Sequence, residues 1–333
     1  MVVVAGCANG PASPTSAGPA QAIISVGSRP GVPVAGEGAV WVPNTGDGTI
    51  SRIDPTTNRV KATIKIGNQL AFYKRDCESK GSVHSYMVNS FHVRDCDLPS
   101  AIATGAGSLW VAKNDDQAVL RVDPKTQRIL ARIPVGIVPF DMAATDTSLW
   151  VTAYWADQLV RIDAKTNQVV ARFTVPDGAG GLTVSDQAVW VTGTVAGTLT
   201  HIDPSTNQVV ATIPIDCAGP CYVGTMPLPV LATGDAVWVQ TEGDGKLVRV
   251  DPQTNRIVAR LDVMFGPGRR GLDHMAYLDG SVWVSGDSLQ RVDPQSNRVS
   301  GTIDVSTTSV ISGFGSLWIT DNRGRVERII PSG

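Results

Sequence analysis

Residues 106–127 read Ala106-Gly107-Ser108-Leu109-Trp110-Val111-Ala112-Lys113-Asn114-Asp115-Asp116-Gln117-Ala118-Val119-Leu120-Arg121-Val122-Asp123-Pro124-Lys125-Thr126-Gln127, and this stretch decides the fold. A turn of small residues leads into an apolar-Trp-apolar run. After a polar turn, Val119-Leu120-Arg121-Val122 alternates in the way a half-buried strand does. Asp123-Pro124-Lys125-Thr126 is turn chemistry: proline presets its φ angle, and the aspartate caps nearby backbone groups. Beyond the turn, Ile129-Leu130-Ala131-Arg132-Ile133 alternates again. Four short strands are therefore expected, over roughly 100–104, 108–113, 118–123 and 128–135.

The same pattern recurs along the chain. Trp41, Trp110, Trp150, Trp190, Trp238, Trp283 and Trp318 mark seven copies, separated by 69, 40, 40, 48, 45 and 35 residues. In the first five copies an aspartate stands thirteen residues after the tryptophan: Asp54, Asp123, Asp163, Asp203 and Asp251. Asp293 comes ten after Trp283, beyond a shorter hairpin. Four-stranded repeats of about forty residues are propeller blades. The expected fold is all-β: a seven-bladed β-propeller with four antiparallel strands per blade. The seventh copy stops after Arg328-Ile329-Ile330 with no fourth strand, and residues 22–27 (Ala-Ile-Ile-Ser-Val-Gly) resemble residues 131–136. The N-terminal strand is thus expected to close the last blade and give its edge a partner. One tryptophan per blade at a fixed place reads as packing between sheets. The repeated arginine reads as a surface strand position pairing with the aspartate two residues on.

Bulk properties narrow the function. Among 333 residues, 42% are apolar and 17% charged, which excludes general disorder. A net charge of -2 lacks the basic footprint that nucleic acid requires. No apolar run reaches the length of a membrane span. Residues 1–20 are read as a truncated lipoprotein signal and flexible tether. Val4-Ala5-Gly6-Cys7 has the form of a lipoprotein processing site with Cys7 lipidated. The apolar stretch before it is short, and residues 8–20 are dominated by Ala, Pro, Gly, Ser and Thr. Residues 21–333 form the propeller, with insertions at 68–99 and 216–229. Cys77 and Cys96 lie in the first insertion and Cys217 and Cys221 in the second, so pairing within each insertion is expected. Their spacings suit disulfides better than paired-thiolate zinc sites. The expected location is extracytoplasmic, on a bacterial cell envelope through a lipid anchor, or secreted.

Strand order assigns function to one face. In a meander of four strands, the two–three hairpins and the crossovers between blades share one face, and the one–two and three–four turns share the other. The aspartate-proline turns are nearly uniform and suit scaffold. The irregular segments all fall on the first face, where binding normally lives. Asp141, Trp155, Glu242, Asp244, Arg269 and Arg270 are its candidate contacts, since aromatic and arginine side chains are enriched at hot spots. His84 and His92, near Tyr73, Tyr86 and Phe91, show no third ligand at metal spacing, so no metal site is expected. His201 replaces the repeat arginine in the fourth copy and reads as a surface strand position.

The Gly-x-(Leu/Val)-Trp-Val and Arg-(Ile/Val)-Asp-Pro-x-Thr-Asn motifs, spread from Ala22 to Ile330, resemble the bacterial propellers with YVTN-type repeats and, more distantly, the streptogramin B lyases. The second resemblance implies elimination at an ester of a cyclic depsipeptide, using a His base, a Glu and Mg²⁺. The sixth copy offers His274, in Asp273-His274-Met275-Ala276, and Asp287 four residues after Trp283. Asp here replaces the family's Glu, and His274 stands one residue nearer the tryptophan. These residues support two readings. The first is a non-catalytic, monomeric, lipid-anchored propeller without cofactor, binding a protein, peptide or envelope component. The alternative is a lyase with His274 and Asp287 as catalytic residues and Mg²⁺ as cofactor.

Overall fold

The computed structural model describes residues 20–66, 86–88, 91–93, 101–215, 227–263, 274–305, 307, 309–321 and 323–331. Seven four-stranded antiparallel sheets stand around a ring. Blade 1 is Val34–Gly36, Ala39–Asn44, Thr49–Asp54 and Arg59–Lys65. Blade 2 is Ile102–Gly105, Ser108–Lys113, Ala118–Val122 and Ile129–Pro134, within two residues of the expected bounds. Blade 3 is Met142–Ala144, Ser148–Ala153, Gln158–Asp163 and Gln168–Thr174. Blade 4 is Ala179–Val184, Val189–Gly193, Thr198–Asp203 and Gln208–Pro214. Blade 5 is Pro227–Ala232, Val237–Thr241, Lys246–Asp251 and Arg256–Asp262, and blade 6 is Met275–Leu278, Ser281–Val284, Leu289–Asp293 and Arg298–Ile303. Blade 7 joins Ser309–Gly313, Ser316–Asp321 and Arg325–Ile330 to Ala20–Ser25, which pairs antiparallel along its outer edge from Ala20↔Ile330 to Ser25↔Arg325. A separate two-stranded hairpin, Tyr86–Val88 with Phe91–Val93, lies in the first insertion.

The core is a series of wedges between neighbouring sheets. Each repeat tryptophan packs on the next blade: Trp110 against Leu149, Val151 and Val160, and Trp238 against Val282, Val284 and Val292. Trp318 of blade 7 packs on Val40, Val42 and Ile53 of blade 1, with Ile24 of the N-terminal strand in the same cluster. All seven are between 0 and 4% exposed, so they are scaffold.

The repeat arginine corrects its sequence reading. It does not chiefly serve the aspartate two residues on. Its guanidinium lies over the tryptophan of its own blade, at 4.9 Å for Arg121 and 5.4 Å for Arg249, and reaches across to the next blade's turn. Arg121 Nη1 donates to Ala164 O and to Asn167 Oδ1, at 2.5 and 3.0 Å. Arg249 Nη1 donates to Pro294 O and Asn297 Oδ1, at 2.7 and 3.1 Å. Arg328 does the same to Pro55 O and Asn58 Oδ1 of blade 1, at 2.5 and 2.9 Å. A planar, permanently charged fork can stack and donate at once. The recurrent asparagine has its own cause: its φ is +57° at Asn167 and +53° at Asn297, a left-handed conformation asparagine tolerates. His201 is corrected in the same way. It stacks on Trp190 with centroids 4.0 Å apart, and its Nδ1 lies 2.8 Å from Asn255 Oδ1 of blade 5.

Two interfaces lack the full clasp. Gln127 stands in blade 2 where other turns have asparagine, and Arg52 Nε of blade 1 is buried without a hydrogen bond. Between blades 6 and 7 no three–four turn exists, because the chain ends meet there. Among the described residues Arg291 donates through Nε to Ser281 of its own blade.

The turn aspartates are consumed locally. Backbone N–H groups of Thr56 at Asp54 and of Thr126 at Asp123 hold those carboxyls below the usual range. Asp203, bonded first by the Ser205 hydroxyl, is held down at about 2. One face of the ring is thus scaffold throughout.

Candidate functional site

The opposite face carries the two–three hairpins and the ends of the innermost strands. Nine residues before each repeat tryptophan, within two residues of the start of the inner strand, stand Val32, Ala101, Asp141, Gly181, Pro229, His274 and Ser309. The rung at this position is explicit in three blades, where Ala112, Thr152 and Ser285 donate their N–H to the carbonyls of Ala101, Asp141 and His274. Asp141 and His274 therefore hold the same repeat position in blades 3 and 6.

The half-buried His274 is fixed through its backbone. Its N–H donates to Ser285 Oγ at 2.8 Å, and that hydroxyl returns a bond to the His274 carbonyl at 2.9 Å. Asp287 stands two residues beyond Ser285 in the exposed hairpin, so both residues belong to the same end of blade 6. Asp141 has a structural occupation. Its Oδ1 accepts from Met142 N at 2.8 Å and its Oδ2 from Leu182 N of blade 4 at 2.9 Å. A bulge in the inner strand of blade 4, between Ala179 and Leu182, takes Leu182 out of regular register beside this carboxylate. Burial raises the Asp141 carboxyl to about 6, against the pull of those two backbone donors.

Trp155 lies in a 3-10 turn, Tyr154–Ala156, that replaces a simple hairpin in blade 3. Tyr154 is packed between two rings, with Phe140 at 5.2 Å and Trp155 at 4.4 Å in an edge-on arrangement. Burial pushes the Tyr154 phenol up, and the negative charges of Glu242 in blade 5 and Asp157 push it further. Asp157 also accepts from Gly178 N at 2.7 Å, which fastens blade 3's hairpin to the crossover into blade 4. Asp244 accepts the Thr241 hydroxyl at 2.5 Å. Sequence reading singled out Trp155, Glu242 and Asp244 but missed Phe140, Tyr154 and Asp157. The available signal was Phe140-Asp141 beside Tyr154-Trp155 at matching ends of adjacent strands.

Arg269, Arg270, His84, and Cys7, Cys77, Cys96, Cys217 and Cys221 lie outside the described residues, as does the side chain of His92. Among the described residues, no three His, Cys, Asp or Glu gather into a metal-holding group, so the Mg²⁺ implied by the lyase resemblance finds no ready set of ligands there.

The class that this architecture defines is the seven-bladed β-propeller. No protein-family model matches the chain, and no curated protein matches it in sequence, so the likeness to YVTN-type repeats rests on the motifs quoted above. Solved structures do match. The virginiamycin B lyase of Staphylococcus aureus superposes with a TM-score of 0.68 at 13% identity, covering 93% of this chain and 99% of that one. A streptogramin B lyase gives 0.68 at 14%, covering 94% and 97%. Hydrazine synthase of Kuenenia stuttgartiensis gives 0.65 at 12%, covering 97% and 99%. At such identities the likeness is one of fold.

Proposed function

We propose that this protein is an extracytoplasmic, lipid-anchored propeller that binds a protein, peptide or envelope component on its irregular face. The observation carrying the reading is the contrast between the faces. On one, the turn aspartates and asparagines are engaged in capping and in the arginine clasp. On the other, the hairpins differ from blade to blade and bring aromatic rings and carboxylates together around Tyr154. Variation on a rigid scaffold is the usual form of a recognition surface. The anchor is supported by the sequence around Cys7. The test is to couple purified protein to beads, apply an envelope extract, and compare variants of the two faces. Trp155→Ala and Glu242→Gln should release what the wild type retains, while Lys165→Ala on the turn face should not. Equal retention by all three variants would remove the reading.

A second reading is favoured by the placement of His274 and Asp287 at the same end of blade 6. Here the protein is a lyase, and His274 takes the proton whose loss opens the ester of a cyclic depsipeptide. Imidazole suits that role near neutral pH. Incubation with a streptogramin B depsipeptide, with and without Mg²⁺, and then mass spectrometry of the products, decides it. A linear product that disappears in His274→Ala supports the reading, and an intact substrate rejects it.

A further inference from the structure

The face of the aspartate-proline turns is scaffold within the ring, but its rim also receives the chain. Ala20 pairs with Ile330, the last residue of blade 7's third strand, and third strands end on that face. Cys7 stands thirteen residues before Ala20, a span of at most about 45 Å even fully extended. A lipid on Cys7 would therefore tether the ring by this edge of blade 7.

Beside that entry lies an unusual turn. Four one–two turns share a tight form with positive φ at two successive residues: Glu37-Gly38, Ala106-Gly107, Asp279-Gly280 and Phe314-Gly315. Such turns favour asparagine, aspartate or glycine at the first place. Phe314, at φ +52°, is a bulky residue in a left-handed conformation, which costs the turn stability. Packing does not offset that cost: the side chain is 43% exposed and stands in neither apolar cluster that flanks blade 7. Ile330, at the tether's entry, is 46% exposed.

The same edge is basic. Arg328 ties the turn to blade 1, with Nη2 3.5 Å from Phe314 O and Nη1 2.5 and 2.9 Å from Pro55 O and Asn58 Oδ1. Just beyond Asn58 come Arg59 and Lys61, both exposed. Lys61 is 3.8 Å from Asp54, and Arg59 has no acidic partner among the described residues. Blade 2 adds exposed Lys125 and Arg128. Glu37 is the single acid in the one–two turns of blades 7, 1 and 2, and residues 1–19 carry no charged side chain. Across the ring the sign reverses. The blade 4 turns hold Asp186 and Asp203 with no lysine or arginine, and Gln208 stands where blade 1 has Arg59. An exposed aromatic ring on a costly turn, flanked by cations, at the point where an anchored chain arrives, fits the boundary between headgroups and acyl chains.

We propose that the turn-face edge of blades 7 and 1 docks on an anionic lipid surface, with Phe314 inserted among the headgroups and Arg59 and Lys61 against their negative charge. The irregular face is thereby turned away from the membrane, towards its ligand. This inference rests on the lipid-anchored reading above, and gives the anchor a second contact and a direction.

The test is co-sedimentation of the unlipidated, full-length Cys7→Ser protein with phosphatidylcholine vesicles, made with and without phosphatidylglycerol. Binding should require phosphatidylglycerol and weaken as salt rises. It should fall by about fivefold or more in the double variant Arg59→Gln/Lys61→Gln, and by a similar factor in Phe314→Asn. Lys165→Gln, an equal loss of a turn-face cation in blade 3, should bind as wild type. Phe314→Asn should melt no lower than wild type, because asparagine suits the left-handed turn, and this separates docking from a structural role. Equal binding to both kinds of vesicle, wild-type binding by either edge variant, or a lowered melting temperature in Phe314→Asn overturns the proposal. The anchor is judged separately, by mass spectrometry of Cys7 in protein recovered from cells. An unmodified Cys7 removes the anchor while edge-dependent vesicle binding stands; an acylated Cys7 with indifferent edge variants removes the docking edge alone.

Discussion

The repeat arginine shows how much a single side chain can do in a ring of identical interfaces. Arg249 lies over Trp238 and donates twice to blade 6, so Arg249→Ala should lower stability by about 1–3 kcal/mol, through lost stacking and two lost hydrogen bonds. Trp238→Ala should cost about 3–5 kcal/mol, because it also leaves a cavity against Val282 and Val284. Urea titration of both variants checks the order. This role was not legible in the sequence, since the partners of Arg121, Arg161 and Arg249 stand 43 to 48 residues downstream and those of Arg328 at the other end of the chain. The aspartate two residues away is the nearer guess, and it feels the guanidinium's charge without being its chief partner. Asp141 makes a prediction of a different sign. Its carboxyl rises to about 6 in the native state, so the folded protein binds more protons than the unfolded chain between about pH 4 and 6, and stability falls as pH rises through that window. The turn aspartates are held low, so their contribution is present above about pH 4 and is lost as pH falls toward 2. The melting temperature should therefore be highest near pH 4 and decline on either side. Asp141→Asn should flatten its slope between about pH 4 and 6. Calorimetric scans across pH would show both, and an unchanged slope in the variant would assign it to other groups.

At the scale of the element, blades 1 and 4 solve one packing problem in opposite ways. In blade 1 the residue three after the tryptophan is Asn44, whose Nδ2 donates to Thr49 Oγ1 and Ser51 Oγ at 3.0 and 2.9 Å. The crossover residue beside it is Gly27, where a methyl would meet Asn44 Cγ at 2.6 Å. In blade 4 the hairpin residue is Gly193 and the crossover residue is Pro176, whose carbonyl would lie 2.5 Å from a methyl on Gly193. One of the two places must be glycine. The exchange leaves the hydroxyls of Thr198 and Thr200 buried without a partner, where blade 1 supplies an amide. Thr200→Val should consequently stabilise the protein, by about 1 kcal/mol, since an unsatisfied buried hydroxyl is replaced by the residue that blades 3 and 5 carry at Val160 and Val248. A lowered urea midpoint would mean that the hydroxyl has a partner after all. Strand positions and periods were readable in advance because each blade repeats them. The glycine exchange and the ring cluster around Tyr154 were not, because both depend on crossovers, whose residues obey no repeat.

For the molecule as a whole, the sequence disclosed seven blades because tryptophan and the aspartate-proline turn recur at fixed spacing, and each marks a place where neighbouring sheets must meet. The ring's chemistry is less even than its geometry. Five interfaces carry a cation or imidazole bonded to the next blade's asparagine, whereas the interface from blade 1 to blade 2 has Gln127 and that from blade 6 to blade 7 has no such turn. Deletion through Ser25 removes Ile24 from the cluster around Trp318 and bares the strand Arg325–Ile330. The truncated protein should melt several degrees lower and aggregate on heating, through that unpaired edge. Differential scanning calorimetry with light scattering checks both, and an unaltered melting temperature would show the strand to be dispensable. The same strand also sets how the ring responds to force. Tension arriving from the N-terminal side of Ala20 meets the antiparallel pair at its end rung, Ala20↔Ile330, so the rungs are loaded one after another, as in a zipper, rather than together in shear. Under pull the protein should yield first by peeling that single strand, at low force, while the clasped blades stay whole and the strand can re-anneal once the tension is released.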